Sequence, residues 1–248
     1  PNINVIMHDL KKLFSKKNIA IITCYDASFA SYLSKTNCDA LLVGDSLGIL
    51  IKGQSSTLEV SMAEVLYHTN SVRKGAPLMP IISDMPINSF SNKNMALKNA
   101  KLLIKAGADM VKIEGENNIL DIVKYLSVNK ILVCGHIGCM PQVNKNKMLA
   151  NKNLLTKAKN LEAAGLKMLV MSMTSESDDK AITDQLSIPT ISFRSSTFCN
   201  GEVEVLYDLL GITSASFSND KNETDKTEAP SLFDKIEKFI KKIHKRKN

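Results

Sequence analysis

Short apolar runs alternate along this chain with stretches whose hydrophobic residues recur at helical spacing. The runs are Ala20–Cys24, Ala40–Gly44, Met79–Ser83, Met110–Glu114, Ile131–Cys134, Met168–Met171, Pro189–Phe193 and Ala215–Phe217, which makes eight candidate strands. Short strands that are almost continuously apolar suit a parallel sheet with helices on its faces. Between them, Ser61–Arg73 sets Met62, Val65, Leu66, Thr69 and Val72 on one helical face. Asn94–Ala106 does the same with Ala96, Leu97, Ala100, Leu103 and Ile104, and Leu154–Ala164 repeats the pattern. Gly75, Gly107 and Gly165 follow these stretches, where helix C-termini favour glycine. Alternation repeated eight times favours a (β/α)8 TIM barrel over an open doubly wound sheet. No Gly-x-Gly-x-x-Gly follows the first strand, so a dinucleotide fold gains no support.

The length, 248 residues, matches the ~250 of such a barrel. One barrel domain is therefore expected over 1–248, with a polar connection at 219–230 and an amphipathic helix at 231–245. In that helix Leu232, Phe233, Ile236, Phe239, Ile240 and Ile243 share a face that should dock on the barrel or on a neighbouring subunit. The chain is 44% hydrophobic but has no Trp, so its core must rest on aliphatic residues and Met. No run approaches the ~20 apolar residues of a membrane span, so no membrane partner is expected. The N-terminal residues lack the apolar run and cleavage site of a signal peptide. Pro1 reads as the residue after a removed initiator Met, and the cytoplasm is the expected compartment.

The formal net charge is +7, yet Arg occurs only at 73, 194 and 246 among 32 basic residues. Readers of phosphates and bases lean on Arg forks as well as Lys. Scattered Lys therefore reads as compositional drift rather than nucleic-acid binding, and the cluster Lys241–Lys247 reads as a solvated helix end. Five irregularly spaced Cys argue against a disulfide framework. Cys134, His136 and Cys139 lack the second ligand pair of a structural zinc site.

A barrel of this kind places its chemistry where strands end and βα loops begin. The polar residues there are Asp45 and Ser46 after the second strand, Asp84 after the third, Lys112 and Glu114 on the fourth, and His136 after the fifth. Period-two alternation puts Lys112 and Glu114 on one side of their strand and Val111 and Ile113 on the other. Converging carboxylates Asp45, Asp84 and Glu114 repel one another unless a cation intervenes. Oxygen-only donors favour a hard ion such as Mg2+. Any one of these residues also has a plainer reading. Asp45 could cap a helix, Lys112 could pair with an acid, and His136 could be a bonded core histidine. The convergence carries the inference.

Thr23–Ala30, Leu42–Gly48, Tyr67–Thr69, Val72–Pro77, Ser83–Pro86, Ala106–Gly115, Cys134–Gly138 and Leu161–Gly165 together resemble the ketopantoate hydroxymethyltransferase family. The resemblance is nearly continuous from about residue 18 to 142, patchy to about 213 and weak beyond. It implies a Mg2+-dependent barrel enzyme of pantothenate biosynthesis that moves a hydroxymethyl group from 5,10-methylenetetrahydrofolate to 3-methyl-2-oxobutanoate, through a metal-stabilised enolate. It also implies Asp45, Asp84 and Glu114 as metal-site carboxylates and Asp45, Ser46, Asp84, Lys112 and His136 as contacts of the oxo acid. A homo-oligomer is implied as well.

Three departures stand out. Ser172 aligns with the strand-six Glu that serves the family as general base, and Glu176, four residues on, is the available surrogate. The family's glycine-rich segment after the fifth-strand loop shortens here to Val143–Met148. The glycine-rich end of strand seven becomes Ser192–Ser196. These departures keep two alternatives open: a catalytically impaired homologue, and a different Mg2+-dependent lyase of the phosphoenolpyruvate/pyruvate type.

Overall fold

A computed structural model describes residues 10, 13–15, 18–115, 117–139 and 153–213. The expected features at 143–148, 215–217, 219–230, 231–245 and Lys241–Lys247 lie outside them. The chain divides into two compact units, residues 1–204 and 205–248. Within the second unit the described part holds one short helix, Leu206–Leu209.

The first unit contains a closed parallel barrel in the order β1 to β8. Its strands are β1 (Ile19–Thr23), β2 (Ala40–Val43), β3 (Ile81–Asp84), β4 (Met110–Glu114), β5 (Val133–Gly138), β6 (Met168–Ser172), β7 (Thr190–Phe193) and β8 (Gly201–Glu204). The connecting helices are α1 (Ala27–Leu33), α2 (Met62–Gly75), α3 (Lys93–Ala106), α4 (Leu120–Val128), α5 (Leu154–Ala163) and α6 (Glu176–Gln185). The (β/α)8 reading of the sequence therefore stands, with the first seven strands near their expected positions.

The eighth strand is a correction. Gly201–Glu204, not 215–217, closes the barrel by pairing with both β7 and β1. Its sequence gives no apolar run because only Val203 is buried in the core, whereas Glu202 is exposed. Closure also needs Gly201 itself. A Cβ there would lie 2.3 Å from the carbonyl oxygen of Ile19. The β7–β8 link is a loop, so the seventh repeat carries no helix between its strands.

Gly107 and Gly165 follow their helices at positive φ, as expected. Gly75 differs. It is the last residue of α2, and a Cβ there would sit 2.1 Å from the Ala27 carbonyl oxygen. That glycine permits α2 to pack against α1 rather than capping a helix. The start of α2 is a capping box, with Ser61 and Glu64 each bonding the other's backbone amide.

Side chains of Ile19, Ile21, Ala40, Leu42, Ile82, Met110, Cys134, Met168, Val170, Ile191 and Val203 fill the barrel interior. Two-residue periodicity then fixes what stands above this layer. Asp84 follows Ile82, Lys112 and Glu114 follow Met110, His136 follows Cys134, Ser172 follows Val170, and Phe193 follows Ile191. The apolar plug thus supports a polar mouth at the C-terminal ends of the strands. Gly201→Ala is expected to cost about 1–3 kcal/mol through overpacking at the closing seam. In a domain of this size that is a fall of roughly 2–12 °C in melting temperature. An unchanged melting curve would overturn this account of the closure.

Candidate active site

Strand register assembles the mouth. Asp84 lies beside Lys112 across β3–β4, and Glu114 beside His136 across β4–β5. The ammonium of Lys112 donates to Asp84 Oδ1 at 2.5 Å and to Glu114 Oε1 at 3.5 Å. Glu114 Oε1 also lies 2.8 Å from His136 Nδ1. The backbone N–H of Asp45, just past β2, donates to Asp84 Oδ2 at 3.1 Å. All five side chains are buried.

Burial opposes the charge on Lys112, but Asp84, Glu114 and Asp45 hold its pKa above the ordinary lysine range. Burial lifts the Asp84 carboxyl upward; Lys112 opposes that rise and the charge of Glu114 adds to it. One ammonium thus faces three acids, and the mouth keeps a surplus of negative character. Beneath it, burial pushes the Cys134 thiol up to about 12, so this residue acts as neutral filling rather than as a thiolate ligand.

His136 Nε2 is the group left over. It is out of solvent and has no hydrogen-bond partner among the described residues. With Nδ1 committed to a carboxylate, Nε2 is the ring position open to a ligand. An orphaned buried polar atom of this kind is costly unless something binds it.

Asp45 is not spent as a cap. The one-turn helix after β2, Leu47–Leu50, has Ser46 at its N-cap, without a side-chain capping bond. Ser46 Oγ instead lies 2.7 Å from the Oη of buried Tyr25. The Tyr25 carbonyl oxygen lies 2.6 Å from His68 Nδ1. Tyr25 and His68 occur in the motifs that carry the family resemblance, but spacing alone assigned them no part in holding Ser46.

The expected carboxylate trio is not a simple shell. Among the described residues no group of three or more His, Cys, Asp or Glu is arranged to hold a metal ion. Lys112 pairs with both Asp84 and Glu114, so an ammonium already bridges two of the three acids.

Ser172 ends β6, buried and on the inner face. Glu176 is not brought to it or to the acid cluster. It is exposed in the first turn of α6 and makes none of the cluster's hydrogen bonds.

The carboxylate that sequence reading missed is Asp179, three residues further along α6 and fully buried. It accepts from the hydroxyls of Thr174 and Ser195, and from Ser196 Oγ at 2.6 Å. Asp179 thus ties the loop after β6 to the loop after β7. A first-turn Asp ordinarily reads as a surface residue favouring the helix dipole, and the signal that could have found it was the serine pair opposite.

Fold and mouth define the class, a (β/α)8-barrel enzyme with a charged site at its C-terminal end. Phosphonopyruvate hydrolase shares the fold, with a TM-score of 0.68 at 9% identity over 82% of this chain and 81% of that one. So does 2,3-dimethylmalate lyase, a PEP mutase/isocitrate lyase superfamily member, at 0.64 and 13% over 84% and 82%. Identities this low bear on the fold alone. The family model for ketopantoate hydroxymethyltransferase matches residues 4–247. A 3-methyl-2-oxobutanoate hydroxymethyltransferase of Buchnera aphidicola subsp. Acyrthosiphon pisum (strain 5A) is 40% identical over 239 residues, 92% of this chain and 90% of the relative. That of Wigglesworthia glossinidia brevipalpis is 43% identical over 217 residues, 84% and 82%. The chain belongs to the ketopantoate hydroxymethyltransferase family and is an enzyme of the hydroxymethyl-transfer class.

Asp179→Ala strands three hydroxyls and is expected to cost about 3 kcal/mol or more in urea denaturation. Asp184→Ala, in an exposed pair with Lys180, should stay within ~0.5 kcal/mol. Equal losses would remove the special standing given to Asp179.

Proposed function

We propose that this enzyme converts 3-methyl-2-oxobutanoate, 5,10-methylenetetrahydrofolate and water into 2-dehydropantoate and tetrahydrofolate, the step named by its relatives and a part of pantothenate biosynthesis. The observation that carries the reading is the buried joining of Lys112, Asp84, Glu114 and His136 beneath an unpartnered His136 Nε2. The same reading includes a homo-oligomer and a cytoplasmic setting. Among the described residues no helix is long and apolar enough to cross a membrane.

A divalent ion such as Mg2+ fits the donors. Mg2+ is usually held through one or two carboxylates, with water and substrate completing its octahedron. Asp45 and Asp84 suit that habit, because the Asp45 amide bonds Asp84 Oδ2 and brings the two residues side by side. A carboxylate oxygen that accepts one hydrogen bond keeps a second lone pair. Glu114, the third acid expected in the set, serves here as partner to Lys112 and His136. When bound, the ion supplies Lewis acidity that polarises the 2-oxo group and acidifies the neighbouring C–H.

The protein's own residues do the rest. Lys112 keeps a fixed positive charge where the oxo oxygen gains negative charge. His136 Nε2 meets the oxo acid from β5, and Tyr25 holds the Ser46 hydroxyl on the other side. Loss of the C3 proton gives an enolate, whose carbon bonds to the folate's one-carbon unit. Ser172 faces this step with a hydroxyl, which cannot take a carbon-bound proton at neutral pH without a base of its own.

That hydroxyl favours a second reading, a slowed or silent homologue. Exchange of the C3 proton in heavy water with Mg2+ separates the two. We expect exchange that EDTA abolishes, and 2-dehydropantoate once methylenetetrahydrofolate is added. Absence of exchange sinks the transferase reading and leaves the silent homologue. Ser172→Glu should raise the exchange rate by ~10²-fold or more. Glu176→Gln should leave the rate unchanged, and a clear loss would reinstate it as a surrogate base.

A further inference from the structure

Two strands of the barrel end in the same way. Met173 follows β6 and Arg194 follows β7, each at a φ of 51°. Left-handed backbone is uncommon for such side chains, and it turns the chain sharply where each strand reaches the mouth. The next residue in each loop, Thr174 or Ser195, donates its hydroxyl to Asp179. Ser196 Oγ adds a third bond at 2.6 Å. Backbone ties join the two ends as well. The Met173 N–H donates to the Phe193 carbonyl oxygen at 3.3 Å. The Ser195 N–H donates to the hydroxyl of buried Ser192 at 3.2 Å.

These bonds surround the Phe193 ring. Phe193 ends β7 and stands beside Ser172 in the strand register. It packs on the apolar barrel interior yet is only partly buried. The Arg194 guanidinium lies 5.4 Å from the centre of its ring. The ring is thus supported by the core on one side and by a clamped loop on the other.

We propose that Asp179 is a positioning residue for substrate choice, holding Phe193 as the wall that limits how large an oxo-acid side chain the mouth admits. The proposal rests on the hydroxymethyl-transfer reading and deepens it.

In that reading the carboxylate and oxo oxygens stay with the ionic half of the mouth, on β2 to β5. The proton leaves from C3, so C3 faces the β6 end, and C3 also carries the branches of the side chain. The strand beside β6 on the far side from β5 is β7, so the branches meet Phe193. A ring gives methyl groups an apolar contact and fills much of the space beside them. One methylene more or less at such a wall changes discrimination by about 10–200-fold. A wall selects only as firmly as it is held, and one at a strand end depends on the loop that follows. Asp179 supplies that support from α6 while being fully buried itself.

The test compares 3-methyl-2-oxobutanoate with 3-methyl-2-oxopentanoate, which is one methylene longer. Calorimetry with Mg2+ gives the ratio of affinities, and C3 proton exchange gives the ratio of rates. Phe193→Val should shift both ratios toward the longer acid by about tenfold or more. Asp179→Asn keeps the shape but not the charge, and should shift them the same way by about threefold or more. In the Phe193→Val background Asp179→Asn should shift them no further, because its effect passes through the ring. A purely structural role would lower the melting temperature and leave the ratios alone. Ser196→Ala, which removes one of the three donors, carries the test if Asp179→Asn does not fold. Unchanged ratios in folded Phe193→Val overturn the wall, and unchanged ratios in a folded clamp variant overturn the role of Asp179. Wild-type exchange in either case leaves the transfer reading intact. Binding without exchange sinks the transfer reading, and the affinity ratios then decide the wall. A wild-type protein that binds neither oxo acid with Mg2+ overturns both.

Discussion

Lys112 carries its charge into a place where burial alone would strip it. The ammonium survives there because Asp84 and Glu114 lie on either side of it and Asp45 stands close by. Breaking a buried pair by removing one partner costs more than the pair contributes, since the other charge is left uncompensated. The acids, the ammonium and the imidazole therefore form one unit. They meet because the β3–β4–β5 register sets Asp84 beside Lys112 and Glu114 beside His136. Slipping any of these strands by one residue would turn its polar residues out toward the helices.

The mouth is asymmetric. From β2 to β5 it is ionic, with Lys112 paired to Asp84 and Glu114 and His136 to Glu114. From β6 to β7 it presents Ser172 and Phe193, with Arg194 stacked 5.4 Å above the Phe193 ring. On that side the buried acid, Asp179, accepts hydrogen bonds from three hydroxyls and acts as a clamp. Asp179 thus ties the loop after β6 to the loop after β7.

Much of this was legible in the sequence because strand periodicity and site placement obey the same rule. Once Met110–Glu114 is read as a strand ending at the barrel mouth, Lys112 and Glu114 must share a face, and the structure keeps them there. The sequence was silent where pairing is long-range. Gly201–Glu204 carries alternating charge and one buried Val, so only its two neighbouring strands identify it as β8. Gly75 reads as a cap until α1 is seen against it. Asp179 gains meaning only from Ser195 and Ser196, which lie on a different loop. Spacing placed Lys112 beside the acids and left open which of them it pairs with; the register shows both Asp84 and Glu114.

That last point bears on how proton loss and charge stabilisation divide. Stabilisation of an oxyanion needs fixed positive charge nearby, and Lys112 holds such a charge, buried and paired, at this mouth. Proton removal needs a base on the facing side, where β6 supplies a hydroxyl. The two requirements sit on different strands, so one can erode while the other is preserved by its own electrostatic coupling. Removing Lys112 or one of its acids endangers folding as well as catalysis, whereas a change at Ser172 leaves the apolar barrel interior and the ion pairs untouched. The ionic half of the mouth is therefore bound to the stability of the barrel. The β6 position is not, so a substitution there is physically easier to accommodate.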